Sequence, residues 1–97
     1  MTRNTWLVTY DISDPKRLRR VFKTCKGRGT HLQYSVFECD LDWQEKAEFE
    51  SALTGIIDHS EDQILFVDLG PAEGRGHRVI HALGQPYYAM DAPCYVV

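Results

Sequence analysis

No stretch of this chain is apolar for long enough to cross a membrane, so a membrane span is excluded. The opening residues, MTRNTWLVTYD, lack the apolar core and small-residue cleavage site of a secretion signal. Cysteine is scarce and odd in number: Cys25, Cys39 and Cys94 have no paired spacing. That excludes a disulfide framework and fits buried, reduced thiols in a cytoplasmic protein. Several catalytic signatures are missing as well. The glycine-rich segment at 70–76 has no Gly-Lys-Ser/Thr ending, so it is a loop rather than a nucleotide cradle. His77 and His81 lack the glutamate of a zinc-hydrolase helix and any neighbouring cysteine. Ser35 has no nucleophile-elbow context. No aromatic motif of the kind that reads bases on a sheet is present.

What is present describes a small soluble globular domain. With 97 residues, 43% hydrophobic and 26% charged, the chain can bury one modest core and no more. The expected organisation is a single domain over 1–97. Net charge is -3, yet the charges are segregated. Lys16, Arg17, Arg19, Arg20, Lys23, Lys26 and Arg28 follow one another with no acid between them. The next stretch, from Glu38 to Asp62, is acidic and relieved only by Lys46. Two readings fit this split: two solvated helix faces, or one positive face directed at phosphate.

Trp6-Leu7-Val8-Thr9-Tyr10 is β-branched and aromatic and predicts a strand ending at Asp11. Asp14-Pro15 predicts a helix start, with Asp as N-cap and Pro in the first turn. Leu18, Val21, Phe22 and Cys25 then form one apolar stripe. Arg19, Arg20, Lys23 and Lys26 project from the other side, Arg17 falls on the flank, and Gly27 and Gly29 end the helix. A second strand is expected over Thr30–Asp40. Asp42 with Glu45 predicts a capping box, and Phe49, Ala52, Leu53 and Ile56 the stripe of a second helix. Strands are expected at Ile64–Leu69, ended by Gly70-Pro71, and at Arg78–Leu83. Pro93–Val97 could add a short terminal strand. The pattern reads as βαββαβ, a ferredoxin-like α+β fold with an antiparallel sheet and both helices on one face. Trp6, Tyr10, Phe37 and Phe66 are too many aromatics to hide under two helices. The open face should therefore bind something flat or pack on a second copy.

Asp11 ends the central strand beside a helix N-terminus. A carboxylate there is favourable for dipole reasons alone. It also has no capping offset that needs it, which leaves it free for a ligand. One carboxylate is a poor Mg²⁺ site, and a two-fold axis near Asp11 would supply a second. The cations of the first helix, with Arg28 and His31 after it, suit a phosphate backbone, to which Arg offers a bidentate fork.

Three segments occur together: Val8-Thr9-Tyr10-Asp11-Ile12-Ser13, Arg17-Leu18-Arg19-Arg20-Val21, and Gly29 leading to Leu32-Gln33-Tyr34-Ser35-Val36-Phe37-Glu38. In this order and spacing they resemble the CRISPR-associated endoribonuclease family, the smaller of the two core spacer-acquisition proteins. The resemblance implies a ferredoxin-like homodimer with its sheets face to face. It also implies that the C-terminal segment, 86–97, pairs with the partner protomer's sheet. It matches Asp11 to a metal-associated aspartate contributed by each protomer, with Tyr10 preceding it at the catalytic site. Arg17, Arg19, Arg20, Lys23 and Arg28 take the nucleic-acid-binding positions, and Ser35 and Phe37 support the site. The implied cofactor is Mg²⁺ or another divalent cation. The implied partners are a second copy, the CRISPR integrase, and duplex DNA or single-stranded RNA. Two roles follow: an adaptation subunit that bridges the integrase, or a metal-dependent endoribonuclease or endodeoxyribonuclease. A toxin-like messenger ribonuclease on the same fold is a further alternative.

Overall fold

The computed structural model describes residues 2–74 and 80–87. The elements run β1 (Asn4–Asp11), α1 (Pro15–Lys26), β2 (Thr30–Gln33), β3 (Val36–Leu41), α2 (Trp43–Thr54) and β4 (Gln63–Pro71). All strand pairs are antiparallel and the sheet order is β2-β3-β1-β4. This is the ferredoxin-like α+β arrangement that the pattern predicts, with β1 central.

Local chemistry sets both helix starts. The Asp14 carboxylate accepts from the backbone N–H of Lys16 and Arg17, both at 3.0 Å, with Pro15 in the first turn. Asp42 and Glu45 form a reciprocal capping box at the start of α2. The core is then built by period. Val21, Phe22 and Cys25 of α1 and Phe49 and Leu53 of α2 meet Val8, Tyr10, Phe37, Cys39 and Leu41 of the sheet. Ala52, expected in the α2 stripe, is exposed, whereas Phe49 and Leu53 are buried and Ile56 packs against the core.

Four expectations need correction. Residues 30–40 are not one strand. The polar Gln33-Tyr34-Ser35 stretch turns the chain back, so β2 and β3 form a hairpin. That hairpin supplies the fourth strand of the described sheet, and of the strand expected at 78–83 residues 78–79 lie outside the described residues. Residues 80–83 are exposed and non-strand, and Leu83 is 89% exposed. Gly70-Pro71 does not break β4. Gly70 takes a φ of 93°, which spares the β-carbon clash other residues would meet, and the strand continues to Pro71 opposite Asn4. The fourth correction concerns the aromatics. Trp6, Tyr10, Phe37 and Phe66 all point to the helix side, where Phe66 meets Trp6 and Phe49 edge-on. The open face instead carries an aliphatic patch beside Glu38: Leu7, Thr9, Val36, Leu65 and Val67 share the opposite parity, with Leu65 and Val67 48% and 43% exposed. The expected strand at 93–97, and the pairing role of 86–97 beyond Tyr87, lie outside the described residues.

Gly29 is the tightest contact between the end of α1 and the sheet. A β-carbon there would lie 2.4 Å from Cys39 Sγ and 2.5 Å from the Glu38 carbonyl oxygen. Neither neighbour is a flexible tip, so the backbone must move. Gly29→Ala is expected to cost about 1–3 kcal/mol, read as a lower urea midpoint with an unchanged m-value.

Candidate functional site at the Asp11 end of the sheet

Strand β1 delivers Asp11 to the rim of the sheet, opposite Gln63 of β4. Asp11 has the parity of Leu7 and Thr9, so its carboxylate belongs to the open, aliphatic face. It is exposed and has no hydrogen-bond or ion-pair partner among the described residues. A structural carboxylate would cap, bridge or brace something, as Asp14, Asp42 and Asp62 do.

Tyr10 lies on the other side. Consecutive strand residues point to opposite faces, so Tyr10 cannot join Asp11. It is 5% exposed in the core, stacked on Phe37 at a centroid distance of 6.3 Å, and its hydroxyl donates to the Tyr34 carbonyl at 3.3 Å. Burial pushes the phenol further above its ordinary value of 10.0. Phe37 is also core: fully buried, and stacked on His31 at 4.7 Å. Ser35 is beside the site through its backbone, its carbonyl accepting from the Tyr10 N–H at 3.0 Å. His31 is 7% exposed, and its Nε2 is 2.9 Å from the same Tyr34 carbonyl. It is a hairpin brace, not a surface cation.

The cations divide into two groups. Arg19, Arg20 and Lys23 are exposed on the outer side of α1 and have no partner among the described residues. Arg28 pairs with Glu48 at 3.6 Å. Arg17 turns inward: Nε donates to Asp62 Oδ2 at 2.7 Å and Nη2 to Asp62 Oδ1 at 3.2 Å. The Asp62 side chain is fully enclosed. Asp62 and Ser13 are the residues that sequence reasoning missed. Asp62 looked like one more acid in an acidic run, and its partner stands 45 positions away.

The Arg17 guanidinium holds the Asp62 carboxyl well below its ordinary value of 3.8, helped by N–H donors from Asp58 and Ser13. A depressed folded-state value means stability that is fully present above 3.8 and is lost as the pH falls below it. Urea unfolding between about pH 5 and about pH 2 should show a loss that is shallower in Asp62→Asn. Equal acid sensitivity in the two proteins would count against this pair as a source.

Burial pushes both the Cys25 and Cys39 thiols up to about 12, so neither is a ready nucleophile. Cys94 lies outside the described residues. Among the described residues, no three His, Cys, Asp or Glu side chains converge to hold a metal ion. No helix among them is long and apolar enough to cross a membrane. The donor chemistry of Asp11 suits a hard cation such as Mg²⁺, which takes one or two carboxylates and fills its remaining positions with water and phosphate.

Comparison with known proteins gives the family and the fold. Residues 4–74 match the family described as CRISPR associated protein Cas2. The chain is 39% identical over 94 residues to CRISPR-associated endoribonuclease Cas2 1 of Rhodospirillum rubrum, covering 97% of this chain and 91% of that protein. It is 48% identical over 68 residues to CRISPR-associated endoribonuclease Cas2 of Geobacter sulfurreducens, covering 70% and 72%. Among solved structures, Streptococcus pyogenes Cas2 superposes with a TM-score of 0.66 at 39% identity, covering 79% of this chain and 99% of that one.

Proposed function

This chain belongs to the CRISPR associated protein Cas2 family, and from that premise we propose that it works as a homodimeric, nucleic-acid-binding subunit of CRISPR adaptation. In this reading two copies pack their open sheet faces together and bring two Asp11 carboxylates to a shared Mg²⁺ site for phosphodiester cleavage. The observation that carries the reading is the unpartnered Asp11 carboxylate at the rim of an exposed aliphatic face. A face of Leu7, Val36, Leu65 and Val67 gains by leaving water, and a second copy is self-complementary to it. The curated relatives are named endoribonucleases, which supports cleavage as the activity.

Each part has a role in physical terms. When bound, Mg²⁺ would neutralise phosphate charge and lower the pKa of a bound water. Asp11 would hold the ion from each protomer. Arg19, Arg20 and Lys23 would follow the phosphate backbone, because no acid among the described residues competes for them. Bridging the CRISPR integrase would use the dimer as a rigid spacer. A scaffold without turnover is the second reading. It is favoured by the absence of a three-ligand cluster within one protomer's described residues and by the burial of Tyr10.

Duplex-DNA binding across a salt series, with cleavage followed in the same tubes with and without Mg²⁺, separates these readings. Arg19→Ala/Arg20→Ala/Lys23→Ala should flatten the salt slope by about 0.9 for each phosphate contact removed. Mg²⁺-dependent product supports the nuclease; salt-steep binding with no product supports the scaffold. A salt-independent, unchanged affinity in the triple variant would contradict both.

A further inference from the structure

Asp62 sits where the chain enters β4, beside the strand end that carries Asp11. Its carboxylate is fully enclosed and receives five donors, one of them the Ser13 hydroxyl at 3.4 Å. Two come from Arg17, at 2.7 and 3.2 Å. One is the backbone N–H of Ser13 at 3.1 Å, and one is the backbone N–H of Asp58 at 2.9 Å. Arg17 Nη2 also reaches Ser13 Oγ at 3.3 Å. Asp62 immediately precedes Gln63, the residue paired with Asp11 in the β1–β4 ladder. One buried carboxylate thus joins three segments: the loop leaving β1, the first turn of α1, and the loop entering β4.

We infer that Asp62 is a positioning residue, which through the Ser13 backbone and the Arg17 guanidinium fixes the strand end that carries Asp11. The inference rests on the metal-holding role proposed for Asp11. Asp11 has no brace of its own, so its placement depends on the chain before and after it. The β-ladder holds the side before it. After it, Ile12 packs against the core, and the polar anchor at the next residue is the contact of Ser13 with Asp62 and its neighbours Glu61 and Arg17. Arg17 on this account acts by holding Asp62 and not by contacting phosphate. An oriented, charge-assisted pair of this kind restrains geometry more than an exposed ion pair does.

The test uses the full chain, isotope-labelled for NMR, with Mn²⁺ as the probe ion and no nucleic acid. Asp62→Ala should weaken Mn²⁺ broadening at Asp11, with an affinity loss of about 10–100-fold. Arg17→Ala should act in the same direction, and the double variant should be no worse than the stronger single. Asp62→Asn keeps an acceptor for Ser13 and should recover most of the affinity, which a general loss of stability would not predict. If Asp62→Ala does not fold, Arg17→Ala and Asp62→Asn carry the same comparison. Wild-type Mn²⁺ affinity in the folded variants overturns the inference. If wild-type protein shows no Mn²⁺ broadening at Asp11, the metal reading itself fails. Amide exchange at Asp11 then decides the remainder: faster exchange in Asp62→Ala upholds the fixing role, and unchanged exchange overturns it. In parallel, Arg17→Ala should keep the wild-type salt slope for duplex DNA. A slope flatter by about 0.9 would make Arg17 a phosphate contact and overturn its part.

Discussion

Phe37→Ala is expected to destabilise the protein by about 3–5 kcal/mol, the range for truncating a fully buried phenylalanine. The ring is completely enclosed. It stacks on His31 at 4.7 Å, meets Phe22 at 5.7 Å and Tyr10 at 6.3 Å, and its strand pairs it with Val8. The neighbours belong to three different elements that cannot all collapse inward. A domain of this size has about 5–15 kcal/mol of total stability. The loss should therefore appear as a melting temperature lower by tens of degrees, at about 4–8 °C for each kcal/mol. Any loss of activity should vanish under conditions that restore folding. A variant that melts like the wild type but no longer cleaves would return Phe37 to the site.

Asp11→Asn is expected to do the reverse. Its carboxylate has no hydrogen-bond or ion-pair partner among the described residues, so removing the charge should leave thermal unfolding within about 0.5 kcal/mol of wild type. Mg²⁺-dependent cleavage should fall by about 10²–10³-fold, the scale for removing one electrostatic stabiliser from a phosphoryl-transfer site. Duplex binding should persist, because the cations of α1 lie on other residues. Cleavage that survives at the wild-type rate would remove Asp11 from the chemistry and leave the scaffold role.

The contrast between these residues explains what was legible in the sequence. Local devices were legible: the Asp14 cap, the Asp42–Glu45 box, and the Val21-Phe22-Cys25 stripe need only residues a turn apart. The ferredoxin-like class was legible from the order of such units, although one of its strands was sought at 78–83 and not in the hairpin. Asp11 was legible as an acid ending a strand with no capping offset. The resemblance groups Tyr10 with Asp11, although the two-residue period of a strand separates them. Phe37 could be placed only through its register with Val8, a pairing across 29 positions of chain. The Arg17–Asp62 pair is similarly long-range, and composition shows it only as one cation and one acid. Contacts between distant segments decide which charges face inward, and no local pattern records them.

The most direct measurement is the distance between the two Asp11 positions in solution. Asp11→Cys in a Cys94→Ser background can be spin-labelled selectively, because Cys25 and Cys39 are buried. The account predicts a continuous-wave EPR spectrum broadened by dipolar coupling, with the broadening lost on mixing with excess unlabelled protein. An unbroadened spectrum at concentrations where the protein is dimeric, or a protein that stays monomeric throughout, would contradict the shared site.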